Sequence, residues 1–345
     1  MMHVKKEGIV LSKTDLPFED EGVLNPAIMQ VGNTVHMFYR AVRKGNYSSI
    51  GYCKFEGPLN LVERHSEPFL VPEFEYEAHG IEDPRIVKID DLYYLSYTSY
   101  DGINALGALA TSADLVHFER HGIILPMFTY EEFKRFAHCS GPINEKYERF
   151  HVHNNIINRP NKTMLLWDKN LVFFPRKINN KLVFLHRIRP DIQITYINNL
   201  QELTQTFWEE YFLHFDKKIV LTSRYKHEVS YIGSGCPPIE TVAGWVLIYH
   251  GVYDTPGGYV YSACAALLDL ENPQIELARL PYPLFKPDLE WELKGYINNV
   301  VFPTGTALFD DTLYIYYGAA DKRIACVSLS LKELIDELVS HKKAI

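Results

Sequence analysis

Basic charge is scarce in this 345-residue chain: 35 Lys and Arg stand against 43 Asp and Glu, for a formal net charge of −8. A nucleic-acid binder needs a basic face to neutralise phosphates, so that class is excluded, and any anion bound here must be held by a local cluster. Cysteines are few and scattered: Cys53, Cys139, Cys236, Cys264 and Cys326 are odd in number and show no C-x-x-C spacing. Buried thiols are expected rather than disulfides. His138, Cys139, His151 and His153 lack the spacing of a tetrahedral site, so no metal and no resident cofactor are expected. No apolar run is long enough to cross a bilayer, and the start, MMHVKKEGIVLSKTDL, has no apolar stretch of signal-peptide length. A soluble, cytoplasmic protein without membrane or nucleic-acid partners is the expectation. G-x-S-x-G, P-loop and H-E-x-x-H motifs are missing too, which leaves serine hydrolase, NTPase and zincin readings unsupported.

What the chain does have is aromatic side chains, 13% of its residues, with 23 tyrosines. That content suits pleated sheets and sugar-binding surfaces. Five segments share one pattern of an aromatic-rich strand, a polar turn and a second strand of small and β-branched residues. They begin at TVHMFYR, DLYYLSYT, KLVFLHR, GWVLIYHG and TLYIYYG. Aligning Tyr39, Tyr97, His186, Tyr249 and Tyr317 gives separations of 58, 89, 63 and 68 residues. Propeller blades take roughly 40 to 50 residues each, so these periods predict an all-β, five-bladed β-propeller with generous loops. A single domain over 1–345 is expected, with the long interval filled by an insertion at 126–166 that carries a short helix around YEEFKRF. Its aromatics Phe128, Tyr130, Phe133 and Phe136 could cap an outer sugar subsite or bury against a neighbouring subunit in a homo-oligomer, and the second is the expectation. A C-terminal helix over 331–342, capped by Ser330, is expected on the outside.

The residue after each aligned aromatic is Arg40, Thr98, Arg187, His250 or Gly318. Equivalent strand positions in a radial repeat point to equivalent places, so two arginines and a histidine converge near one axis. Internal ion pairs within each blade are the competing explanation, because unpaired buried charge is costly. In GIEDPRI, Asp83 before Pro84 is ordinary turn chemistry, but Glu82 and Arg85 make that reading incomplete. Lys169 and Asn170 precede a strand whose hairpin partner carries Arg187, a grouping suited to a phosphate or carboxylate. Gly233-Ser234-Gly235 is followed by two prolines and cannot be a dinucleotide loop; a close backbone approach to a ligand is expected instead. Glu228 and Glu240 flank it, and either could be a base or an ordinary charge.

With GIEDPRI, the DKN…FFPRKINNKLVFLHR block, IGSGCPPIET…GWVLIYHGV and FPTG…LYIYYGAAD in place, the chain resembles glycoside hydrolase family 130, the β-mannoside phosphorylases and their hydrolase relatives. The resemblance runs from Asn25 to Asp321, apart from the insertion, and it implies a five-bladed propeller. It also implies that Asp83 is a general acid acting through the mannose 3-hydroxyl, and that Asn25, Arg40 and Asp321 hold the mannose, with Glu82 and Arg85 beside them. Lys169, Asn170, Arg187, His250 and Tyr261 fall where phosphorylases bind phosphate. Two departures matter: Lys169 replaces a frequent Arg, and Tyr231 stands where phosphorylases typically have Lys.

Inversion by phosphate needs an anion site and one acid; inversion by water needs a second carboxylate roughly 6.5–9.5 Å away. Glu228 is the candidate for that base, although the same residue occurs in phosphorylases. The reading is an inverting enzyme on small β-mannosidic oligosaccharides, with phosphorolysis to α-mannose 1-phosphate favoured and inorganic phosphate as co-substrate. Hydrolysis on the same scaffold is the alternative. A non-catalytic glycan- or protein-binding propeller is the alternative of another class.

Overall fold

The computed structural model describes residues 3–158 and 163–342, and strands dominate it. The first strand, β1 (Lys5–Leu11), waits for a partner from the far end of the chain. A four-stranded antiparallel meander follows: β2 (Gly22–Val31), β3 (Thr34–Arg43), β4 (Tyr47–Glu56) and β5 (Asn60–Arg64). The next is β6 (Gly80–Ile89), β7 (Leu92–Tyr100), β8 (Ala105–Ser112) and β9 (Glu119–Ile123), joined to the first by one parallel pair, Ser48 with Gly80. Two helices, α1 (Tyr130–Ala137) and α2 (Lys146–Asn158), then precede β10 (Lys169–Phe173), β11 (Leu182–Arg187) and β12 (Ile192–Ile197). Helix α3 (Gln205–Leu213) interrupts that third unit before β13 (Ile219–Leu221) completes it. In the fourth, β14 (Tyr231–Ser234) and β15 (Ile239–Thr241) both pair with β16 (Gly244–Thr255), followed by β17 (Gly258–Leu268) and β18 (Glu276–Arg279). A short helix, α4 (Glu290–Leu293), leads to β19 (Val301–Phe309), β20 (Thr312–Ala319) and β21 (Arg323–Ser330). Strand β1 adds to β21, so the fifth unit takes its fourth strand from the other end of the chain.

Each of the five aligned aromatic positions is buried, on β3, β7, β11, β16 or β20, and reaches an acid. Tyr39 donates to Glu19, Tyr97 to Glu77, Tyr249 to Glu228 and Tyr317 to Glu292, while the His186 imidazole meets Asp168. All five acids are completely buried. Four also receive a cation: Arg64 on Glu19, Arg120 on Glu77, Arg279 on Glu228 and Lys6 on Glu292. A buried carboxylate is tolerable only when paired and hydrogen-bonded, so this repeated acid is what secures the strand entering each unit.

The insertion folds as expected in one respect and differs in another. YEEFKRF is α1, started by a reciprocal capping box between Thr129 and Glu132. Its aromatics do not await a neighbouring subunit. Phe128, Tyr130 and Phe133 are buried within their own chain against Trp208, Tyr211, Phe212 and Phe215, with Phe136 packed on the same cluster. Aromatics from α3 offered a nearer apolar surface, which the separation in sequence concealed. Residues 159–162 of the insertion lie outside the described residues. At the C-terminus α5 (Leu331–Ser340) is capped by Ser330, whose side chain accepts from the Glu333 amide. It buries Leu331, Leu334 and Leu338 against the fifth and fourth units, about 1.5–3 kcal/mol for each side chain.

Candidate active site

The site is built by one backbone device used repeatedly. Asn25, Asp83 and Asn170 lie in the first strand of their units, each at a register shift and each with positive φ, between 48° and 53°. Asn and Asp tolerate the left-handed region better than other side-chain-bearing residues, and a bulge re-aims the side chain it carries. The residue before each bulge pairs across the hairpin with the residue after the aligned aromatic: Leu24 with Arg40, Glu82 with Thr98, Lys169 with Arg187. The fourth and fifth units repeat the pairing as Gly233 with His250 and Phe302 with Gly318. Thus Arg40, Arg187 and His250 do converge on one cavity, and the bulges bring Asn25, Asp83 and Asn170 to it.

One wall is acidic. Asn25 Nδ2 donates to Asp83 Oδ1 at 2.7 Å, and Arg40 reaches the same oxygen at 3.5 Å. Arg40 Nη2 also donates to Glu82 Oε1 at 2.7 Å, and Lys169 Nζ stands 3.7 Å from Glu82 Oε2. Burial pushes the Asp83 carboxyl up, but Arg40, Lys169 and Arg85 outweigh it and hold the group below the ordinary aspartate value. Asp321, on the last turn of the fifth unit with φ 49°, behaves oppositely. Burial is the main cause and repulsion from Asp83 and Glu82 adds to it, against Arg40, so its pKa is pushed up to about 6.

A cationic group shares the cavity with these carboxylates. About 270 Å³ in volume, the cavity is lined by Asn25, Arg40, Asp83 and Asp321 together with Lys169, Asn170, Arg187, Tyr231, His250 and Tyr261. It adjoins an outer chamber of about 470 Å³, also bordered by Arg40, Glu82, Trp167, Lys169 and Asp321. Both ring nitrogens of His250 and Nε of Arg187 are buried without a protein partner. Burial, with Arg187 and Arg85 nearby, drives the His250 pKa well down, so this imidazole is neutral. Burial likewise lowers Arg187, to about 10. The hydroxyls of Tyr231 and Tyr261 are hydrogen-bonded to each other. The Arg187 Nε–H and the single N–H of a neutral His250 are donors of the kind an oxyanion takes.

Three sequence expectations change. Glu228 is not part of the cavity: Tyr249 and Arg279 occupy its oxygens, and the Arg224 and Tyr225 amides donate to it at 2.8 and 3.1 Å. It is the fourth member of the repeated acid series, a structural group rather than a base. Arg85 does not line the cavity either. Its guanidinium ties the carbonyls of Asp83, Pro84 and Gly235 together, which fastens the Asp83 bulge to the fourth unit. The glycines at 233 and 235 make room for neighbouring protein rather than for a ligand, since a Cβ on Gly233 would lie 2.6 Å from the His250 ring and one on Gly235 would lie 2.7 Å from the Ile248 carbonyl oxygen. Glu240 is an exposed charge paired with Arg176. Sequence reading missed Trp167 and Arg189, which line the cavity. Arg189 follows the end of β11, beyond the reach of strand alternation, so the only signal in sequence was a second arginine two residues after Arg187.

A β-rich chain whose hairpins converge on a polar cavity, with carboxylates facing cations, has the makings of a carbohydrate-active enzyme. Residues 5–340 match the family model described as beta-1,4-mannooligosaccharide phosphorylase, and the chain belongs to glycoside hydrolase family 130. It is 35% identical over 338 residues to the 1,2-beta-oligomannan phosphorylase of Thermoanaerobacter sp. (strain X514), covering 94% of this chain and 96% of that one. The beta-1,2-mannobiose phosphorylase of the same organism is also 35% identical, over 323 residues and 89% of each chain. In fold, the chain matches the structure of beta-1,2-mannobiose phosphorylase from Listeria innocua in complex with beta-1,2-mannobiose. The TM-score is 0.74, at 22% identity, over 99% of this chain and 100% of that one.

Proposed function

We propose that this enzyme is an inverting β-1,2-mannoside phosphorylase that transfers a mannosyl group from a small oligosaccharide to inorganic phosphate. The observation that carries this reading is the make-up of the cavity: its carboxylates, Asp83 and Asp321, are close enough to interact with each other and with Arg40, and the same cavity offers Lys169, Asn170, Arg187, His250 and Tyr261. Inversion by water would need a second carboxylate set apart from the acid. Among the described residues the carboxylates lining the cavity are Asp83 and Asp321, which interact with each other, and Glu228 is committed to Tyr249 and Arg279. The two curated relatives that match over most of the chain both act on β-1,2 linkages by name, which supports that linkage.

In this mechanism the mannose rests on Asn25, Arg40 and Asp321, and phosphate is held by Lys169, Asn170, Arg187, His250 and Tyr261. A phosphate oxygen forms the new bond to the anomeric carbon from the face opposite the leaving oxygen, giving α-mannose 1-phosphate. The glycosidic C–O bond breaks, and the leaving oxygen receives a proton supplied by Asp83 through the sugar hydroxyl. Sugar binding expels water from above Asp83 and reinforces the burial that favours its protonated form. No cofactor beyond phosphate enters this scheme. We also read the five four-stranded units, closed by β1 on β21, as the blades of a single-domain β-propeller with the cavity on its axis.

The test is turnover of β-1,2-mannobiose with and without inorganic phosphate. Phosphate-dependent α-mannose 1-phosphate is expected; free mannose formed at a phosphate-independent rate would overturn the reading.

A further inference from the structure

We propose that Arg189 is a further phosphate-binding cation of this site, presented by helix α2 of the insertion; the proposal rests on the phosphorylase reading above. Arg189 follows β11 by two residues and lines the cavity together with Lys169, Arg187 and His250. Its guanidinium carbon lies 4.9 Å from the ring centre of Phe150, 5.3 Å from that of Tyr231 and 5.9 Å from that of Trp167. Nη2 donates to Asn154 Oδ1 at 2.8 Å. Phe150 and Asn154 are both on α2, one helical turn apart and therefore on one face. The insertion thus holds a guanidinium by ring stacking on one side and an amide oxygen on another.

Arg187 faces the same tyrosine, its guanidinium carbon 5.4 Å from the Tyr231 ring centre. Two guanidiniums therefore share the π-cloud of a neutral side chain, and neither is ion-paired with a carboxylate among the described residues. Arg189 is near enough to help depress the Arg187 pKa, after burial. Placing two cations side by side, Arg187 buried and Arg189 half-buried, with no ion pair to either among the described residues, is unfavourable unless a dianion joins them. Aromatic contacts offset part of that cost, and phosphate would remove the rest. Tyr231 fits this arrangement because a cation in its place would repel both arginines.

The experiment compares wild type with Arg189→Met, Arg189→Lys and Asn154→Ala, varying inorganic phosphate at saturating β-1,2-mannobiose and then the reverse. Arg189→Met is expected to raise the KM for phosphate at least tenfold and leave the KM for mannobiose within twofold. Arg189→Lys should recover part of that loss, and Asn154→Ala should show a severalfold rise in phosphate KM alone. A phosphate KM within twofold of wild type in Arg189→Met overturns the proposal. Should Arg189→Met not fold, the same criterion applies to Arg189→Lys and Asn154→Ala. Phosphate-independent release of mannose by wild type would instead overturn the phosphorylase reading, and this inference with it, before any variant is compared.

Discussion

Asn25 and Asp83 stand on the first strands of successive units, both at bulges with left-handed backbone, and their side chains meet at 2.7 Å. The bond fixes Asp83 Oδ1 toward Asn25 and Arg40. Since the bulges and not the loops aim these groups, the acid is positioned by the rigid part of the fold.

Asp83→Asn follows directly. The amide keeps the shape of the side chain but has no acidic proton to give, and general acid catalysis contributes typically 10²–10⁴-fold. Turnover should fall by about that range while mannobiose binding, measured calorimetrically, stays within severalfold. Equal losses of binding and turnover would mean that Asp83 serves to hold the sugar.

Gly318 makes a separate prediction. It occupies the position after Tyr317, and a Cβ there would lie 2.0 Å from Asn25 Oδ1. Gly318→Ala should therefore turn Asn25 away from Asp83, cost about 1–3 kcal/mol in denaturant unfolding and lower kcat/KM by roughly tenfold. Wild-type kcat/KM in this variant would show that the Asn25 contact is dispensable.

Much of the site could be read from the sequence because its reporters are local. Tyr39-Arg40, His186-Arg187 and Tyr249-His250 repeat a two-residue signal that strand alternation converts into an inward direction, and the hairpin bringing Lys169 against Arg187 formed as expected. That the acids Glu19, Glu77, Asp168, Glu228 and Glu292 form one series escaped notice because their distance from the aligned aromatic varies from 18 to 25 residues. Only the folded unit shows that they are one series. For the same reason Glu228 looked like a base: its environment, not its neighbours in sequence, commits it to Tyr249 and Arg279. Arg85 was misjudged because a charge beside a site residue can tie backbone carbonyls as readily as it can hold a ligand.

Glu228→Gln distinguishes a structural carboxylate from a base. The substitution removes the charge facing Arg279, although Glu276 still pairs with that guanidinium at 2.6 Å. With one partner retained, the loss should be about 2–3 kcal/mol, somewhat below that of leaving a buried charge unpaired. Per folded molecule, kcat should remain within about twofold. A fall on the order of 10² or more without loss of stability would restore Glu228 as a catalytic group.

Asp321 supplies the pH dependence. Its folded pKa is about 6, raised above the ordinary 3.8 chiefly by burial. Below pH 3.8 the group is protonated in both states and contributes no pH-dependent cost. Between 3.8 and about 6 the unfolded chain releases the proton while the folded chain keeps it, so stability falls as pH rises, and above 6 the cost is constant. Asp83 has the opposite sign in a different window: its folded pKa is lowered, so its contribution is present above 3.8 and lost as pH falls through the depressed value. Asp321→Asn removes only the first effect. The stability of Asp321→Asn relative to wild type should therefore increase between pH 4 and 6.5, by on the order of 2–3 kcal/mol, in urea unfolding without substrate. A difference that stays flat across that window would mean that Asp321 is ionised in the folded enzyme throughout, and that the repulsion from Asp83 and Glu82 is relieved by the cations around it.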